Sequence, residues 1–170
     1  NIRIQDEIEN IKKSLKTFDD DIDREKGIVI DANSNEKRLK EEKNDLIEVD
    51  SKYYETEKKS NEDLDNAKNK LKLETDKVKE LINSNKKEEA INCLDNCKLL
   101  IDQYAESYSK NQNIKKDSIK RNERISIIEK EIESWKNLLL NSEKMVSELT
   151  ERKKKLSAQL EKLDNQPEIQ

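Results

Sequence analysis

Apolar residues recur along this chain at alternating intervals of four and three. Ile4, Ile8, Ile11, Leu15, Phe18 and Ile22 set the pattern. A mean spacing of 3.5 residues keeps all six on one narrow, slowly winding stripe, the a/d seam of a coiled coil. One of its two rows steps on by sevens through Glu25, Ala32, Leu39, Leu46 and Tyr53, and the seam resumes with Leu64, Ala67, Leu71, Val78 and Leu81. The eleven-residue step from Tyr53 to Leu64 predicts a four-residue stutter that locally unwinds the supercoil.

The second half behaves alike. Leu94, Cys97, Ile101, Tyr104 and Tyr108 form a seam, and Ile125, Ile128, Ile132, Trp135, Leu139, Val146, Leu149, Leu156, Leu160 and Leu163 form a stronger one. The row containing Tyr104 keeps its seven-residue step through Asn111 and Ser118 to Ile125, so a single helix is expected from about Glu88 to Leu163. Between the halves lies Asn83-Ser84-Asn85-Lys86-Lys87-Glu88-Glu89. Asn and Ser bond to their own backbone and favour turns. Asn85 followed three residues later by Glu88 reads as a capping box opening a new helix.

Two architectures satisfy this pattern: an antiparallel hairpin, or one helix of some 160 residues dimerising in parallel. Symmetry favours the hairpin. A turn near Lys86 leaves arms of about 83 and 78 residues, and each arm weakens at the same distance from the turn, over Glu48–Asp63 and Ser109–Arg124. Glu41–Asp65 holds ten acidic and four basic residues, whereas Ser109–Arg124 holds six basic and two acidic. Folding at Lys86 lays the acidic stretch on the basic one, while a parallel dimer stacks like on like. The expected fold is therefore all-α, a long antiparallel coiled-coil hairpin of two helices of about 80 residues. Its parts are a first arm over 1–83, a turn over 84–88, a second arm over 89–165 and a disordered tail over 166–170. At about 1.5 Å per residue each arm is roughly 120 Å long. Gly27-Ile28-Val29-Ile30 with Asn33-Ser34 is the weakest helical stretch, and a kink or break is expected at Gly27–Ser34.

Composition fits a rod better than a globule or a disordered chain. Charged residues make up 44% and apolar ones 31%, too few for a round core. The 35 basic and 39 acidic residues nearly cancel, to −4, and one Gly and one Pro leave the helices almost uninterrupted. No apolar run is long enough to span a membrane, and the stripe is too narrow for a surface-lying amphipathic helix. Two cysteines make no disulfide scaffold, so an intracellular, reducing setting is expected. The chain opens on Asn1 rather than Met and is read as a piece of a larger protein.

Chemistry finds little purchase here. With no His and one Gly, the commonest general base, the commonest zinc ligand and phosphate-cradling loops are all missing. Carboxylates abound, but a catalytic pair needs a concave, partly dry pocket. No enzyme activity, cofactor or metal is expected. Cys93 and Cys97 share a helix face, Cys97 as a small seam residue between Leu94 and Ile101. Lys110, Lys115, Lys116, Lys120, Arg121 and Arg124 match charge within the hairpin, and nucleic acid is not the expected partner. The charge run Glu151-Arg152-Lys153-Lys154-Lys155 is read as a solvated face, and Trp135, Tyr53, Tyr54, Tyr104 and Tyr108 as packing. The expected partner is a protein or a second copy, and Asn83, Ser84, Asn85, Lys86 and Lys87 form the docking tip.

Two families share this appearance. The periodicity resembles the antiparallel arms of SMC and Rad50-type ATPases, which implies an arm in DNA repair or chromosome organisation. Their zinc hook places two residues between its cysteines, within the turn, whereas Cys93 and Cys97 have three between them and lie in a helix. The segment Leu81–Leu94, with Glu88-Glu89-Ala90 shortly before Leu94, is similar to the hairpin turn of PspA and ESCRT-III-like proteins. That likeness implies a membrane-remodelling scaffold built of stacked hairpins, although the N-terminal amphipathic helix of that group has no counterpart.

Overall fold

The computed structural model describes residues 2–165, so the tail expected over 166–170 lies outside the described residues. Three helices follow one another: α1 over Ile2–Ser51, α2 over Tyr53–Asn83 and α3 over Lys87–Asp164. They form an all-α hairpin in which α1 and α2 run out and α3 returns. The chain divides into a terminal unit, Asn1–Glu42 with Ile128–Gln170, and a turn unit, Lys43–Ile127. The helix boundaries do not coincide with the unit boundaries, and α1 and α3 each contribute to both.

In the terminal unit the seam is as expected. Ile22, Ala32 and Leu39 of α1 and Ile128, Ile132 and Leu149 of α3 are buried, Leu39 and Ile128 completely. Burying a side chain of that size stabilises by about 1.5–3 kcal/mol. Ser142 holds a buried seam position among them. In the run Glu151–Lys155 the other four residues are exposed as expected, while Lys153 is a half-buried seam residue that pairs with Asp19 across the hairpin.

Helix α1 runs through Gly27 and on to Ser51 without interruption. The expected break at Gly27–Ser34 is absent for a packing reason. Gly27 points outward, with nothing within 4 Å of where a Cβ would stand, while Ile22, Ile28, Val29 and Ala32 hold the opposite face in the seam. Burial of those neighbours outweighs the glycine penalty of about 1 kcal/mol. The discontinuity falls instead at Lys52, whose N–H bonds three residues back to the Val49 carbonyl at 3.2 Å. The Ser51 hydroxyl donates to the Glu48 carbonyl at 2.6 Å and competes there with the helix ladder.

In the turn unit the spacing remains regular where a stutter was expected. Half-buried Tyr53, half-buried Glu57, buried Ser60 and half-buried Leu64 keep the four-three alternation intact. The apparent skip arises because two of these positions are polar. The α3 seam also differs from expectation between residues 93 and 108. Cys93, Leu100 and Ser107 face inward with Cys97 and Tyr104, whereas Leu94, Ile101 and Tyr108 are 47%, 50% and 49% exposed. Apolarity alone selected the wrong row.

The turn closes with helix-capping chemistry of a kind other than expected. Asn85 has φ of 61°, the left-handed region that Asn tolerates better than most residues. The Lys86 N–H bonds to the Leu81 carbonyl at 2.9 Å and the Asn85 N–H to the Ile82 carbonyl at 3.1 Å, the pattern of a Schellman motif. Asn85 thus ends α2 rather than opening α3. The Ala90 N–H then bonds to the Lys86 carbonyl, and Glu88 and Glu89 complement the dipole in the first turn of α3.

Two outcomes follow. Gly27→Ala, on an open helical face, is expected to raise stability by about 1 kcal/mol in urea unfolding. Asn85→Gly is expected to be neutral or stabilising, whereas Asn85→Ala loses about 1 kcal/mol because alanine resists the left-handed conformation. Equal melts for the two Asn85 variants would contradict the assigned turn geometry.

Candidate interaction surfaces

The expected docking tip is where the chain reverses. Asn83, Ser84, Asn85, Lys86 and Lys87 are all exposed, with Ser84, Asn85 and Lys86 forming the connection itself. Their backbone N–H groups at 84, 85 and 86 are taken up by α2 carbonyls, so the tip offers side chains, two of them cationic, rather than free backbone.

A short polar stretch of seam lies deeper in the turn unit. Asn111, 1% exposed, donates through Nδ2 to Ser60 Oγ at 3.1 Å and to Asn61 Oδ1 at 2.7 Å. Ten residues back on the outgoing strand and ten forward on α3, Asp50 accepts from Arg121 at 3.3 Å. The Arg121 guanidinium also stands 5.9 Å from the centre of the Tyr53 ring. Its Nε is buried with no hydrogen-bond partner. The weak stretches of the two arms therefore do face each other, and the charge match expected between them is made at Asp50 and Arg121. A buried amide and a half-buried guanidinium tolerate few registers, because a slip leaves each without its acceptor.

The Tyr53 phenol is pushed above its ordinary 10.0, first by its hydrogen bond with Glu57, then by burial and the Glu57 charge; Ser118 and Arg121 oppose the shift. The fold therefore favours the neutral phenol. The associated stability is complete below pH 10 and is lost as the pH rises through the folded value.

Cys93 and Cys97 are free thiols on consecutive seam positions, Cys93 half-buried and Cys97 buried. Burial and the neighbouring Glu74 push the Cys93 thiol up, against the pull of Lys77, which suppresses its thiolate. Among the described residues no group of three or more Cys, His, Asp or Glu side chains is placed to hold a metal ion.

On one side of the turn-unit seam an open groove of about 600 Å³ forms where the small residues Ser60, Ala67 and Ser107 meet. Its lips are polar: Thr56, Asp63 and Lys70 on α2, Gln103 and Lys110 on α3. The other side carries the outward row Leu94, Ile101 and Tyr108 together with Ile82. Reading the row in this segment as seam concealed this face, and the only signal in the sequence is that two rows of apolar residues compete there.

No protein-family model matches this chain, and no curated protein or solved structure matches it either. The likenesses to ATPase arms and to membrane-remodelling hairpins therefore rest on sequence pattern alone. Among the described residues no helix is long and apolar enough to cross a membrane.

Stability is expected to fall between about pH 8 and pH 11, and Tyr53→Phe is expected to flatten part of that fall. Urea midpoints at the two pH values measure it. An unchanged pH dependence would remove Tyr53 from the titration.

Proposed function

We propose that this chain is a coiled-coil arm, a spacer within a larger protein that carries an interaction surface at its turn. The observation that supports this most is the continuous alternation of inward positions on both strands, from Ile4 to Leu81 and from Ala90 to Leu163. Every inward side chain is engaged in holding the two strands together, and most of the rest face water. A 78-residue helix such as α3 rises about 117 Å along its axis, so the element suits the setting of a distance. The polar contacts of Asn111 and Arg121 hold the two strands in one register and so keep the turn at a set place. The partner surface is Asn83–Lys87, and the partner is a protein whose contacting patch tolerates the cations Lys86 and Lys87.

A photocrosslinking amino acid at Lys86, with a control at exposed Lys136, tests the reading in cells. Lys86 is expected to yield a discrete protein adduct and Lys136 none. Equal labelling from both positions, or adducts from the control alone, would overturn the turn as the docking site.

A further inference from the structure

In the turn unit α3 carries two overlapping seams. The one in use alternates Cys93, Leu100 and Ser107 with Cys97, Tyr104 and Asn111, all buried or half-buried. The other alternates Leu94, Ile101 and Tyr108 with that same Cys97 row, and these three stand about half exposed. The two competing rows lie on opposite sides of the shared one. Each is one-seventh of a turn from it, about 50°, because seven residues make two turns.

The two sides of this seam differ in a way that a rotation by one row removes. On the side of Ser107 lies the open groove of about 600 Å³, where Ser60, Ala67 and Ser107 leave the strands underfilled. On the other side Leu94, Ile101 and Tyr108 are uncovered. Turning α3 about 50° toward the groove carries Leu100 and Ser107 to the lip that Gln103 and Lys110 now occupy, and brings the exposed row inward. Leu94 then replaces Cys93 and Tyr108 replaces Ser107, which removes apolar surface from water, while Ile101 for Leu100 is an even exchange. The Tyr108 ring already stacks on that of the seam residue Tyr104, with centroids 6.4 Å apart.

Polar contacts oppose the turn. Thr56, Asp63 and Lys70 hold the groove-side flank of α2, so Asn61 belongs to the opposite flank. The rotation draws Asn111 away from Asn61, which accepts its amide at 2.7 Å, and strains the Asp50–Arg121 pair farther from the turn. We infer that the turn unit has two packings, one with Cys93, Leu100 and Ser107 inward and one with Leu94, Ile101 and Tyr108 inward, and that the Asn111 contacts select the first. Lys87 opens α3 and turns with it, whereas Asn83 belongs to α2. The rotation therefore changes how the two halves of the tip are presented, and a partner gripping both selects one packing. That last step rests on the docking tip proposed above; the rotation does not.

Disulfide formation between paired cysteines tests it, in the full chain carrying Cys93→Ala and Cys97→Ala. Lys77→Cys with Asn96→Cys continues the groove-side flanks of Lys70 and Gln103 by seven residues and reports the first packing. Thr75→Cys with Lys98→Cys lies on the other side and comes within reach only after the rotation. With Asn111 present the first pair is expected to close faster. Asn111→Leu puts an apolar residue in the shared row and so fits both packings. It is expected to shift the ratio of the two rates about tenfold toward the second pair, the worth of the lost hydrogen bonds. Adding Ile101→Lys is expected to restore the ratio, because a lysine resists burial. A ratio indifferent to Asn111→Leu would overturn the two packings. So would a shift that Ile101→Lys leaves in place, the mark of general loosening.

The Lys86 photocrosslink separates this from the docking tip. A shifted ratio in a chain that gives no Lys86 adduct removes the tip and its coupling and leaves the rotation. An adduct with an unshifted ratio removes the rotation alone. Where both hold, Asn111→Leu is expected to change the adduct yield about fivefold, and an equal yield removes the coupling.

Discussion

A two-stranded helical structure has one interior, and it is a line. Every 3.5 residues each strand must place something on that line that the other strand can accept, and no second layer exists to cover a mistake. Most features of this protein follow from how that demand is met when only 31% of the residues are apolar. Over much of its length Ile, Leu and Phe are present on the line and fill it. Where they are not, it is filled by small polar residues that bond across it, Ser60 with Asn111, or by an ion pair, Asp50 with Arg121. These polar positions contribute less apolar burial than a leucine, but each has one acceptable partner. They convert a stripe that permits many alignments into one that permits few.

The same demand explains which local preferences were overruled. A glycine followed by three β-branched residues and an Asn-Ser pair has poor helix propensity, yet α1 passes straight through. Propensity differences there amount to about 1 kcal/mol, and the seam residues on the opposite face outweigh them. At Lys52 the balance tips the other way. The seam on either side, Asp50 and Tyr53, is only half-buried, and a serine hydroxyl draws on a helix carbonyl. A helix yields where its packing is thin, and that depends on tertiary partners as well as on local composition.

These considerations decide how far the fold could be read from residues alone. The hairpin was legible because equal arms, opposite charge and matched weak stretches are long-range signals that local noise does not erase. The row through Asn111 and Ser118 was legible because a seven-residue step continues through polar positions. The other row was not legible between Cys93 and Tyr108, because Cys and Ser in the seam look poorer than Leu, Ile and Tyr outside it. The apparent stutter had the same origin, since Ser60 was passed over as polar. Asn85 was placed at the correct bend with the wrong duty. Asn suits both a helix start and a left-handed helix end, and only the backbone angle tells them apart.

The misread row leads to a physical conclusion about the turn unit. Seam positions hold Cys93, Ser107, Ala67 and Ser60, which bring the strands together over small side chains, while larger apolar groups stand just outside. A hairpin selected for its own stability alone would reverse that assignment at two of the three sites, since burying Leu94 in place of Cys93 or Tyr108 in place of Ser107 removes more apolar surface from water. The reversal is prevented by register: moving one row inward rotates α3 and draws Asn111 and Arg121 away from Ser60 and Asp50. The buried polar contacts thus keep an apolar row facing outward. Uncovered surface of that kind destabilises an isolated arm in water.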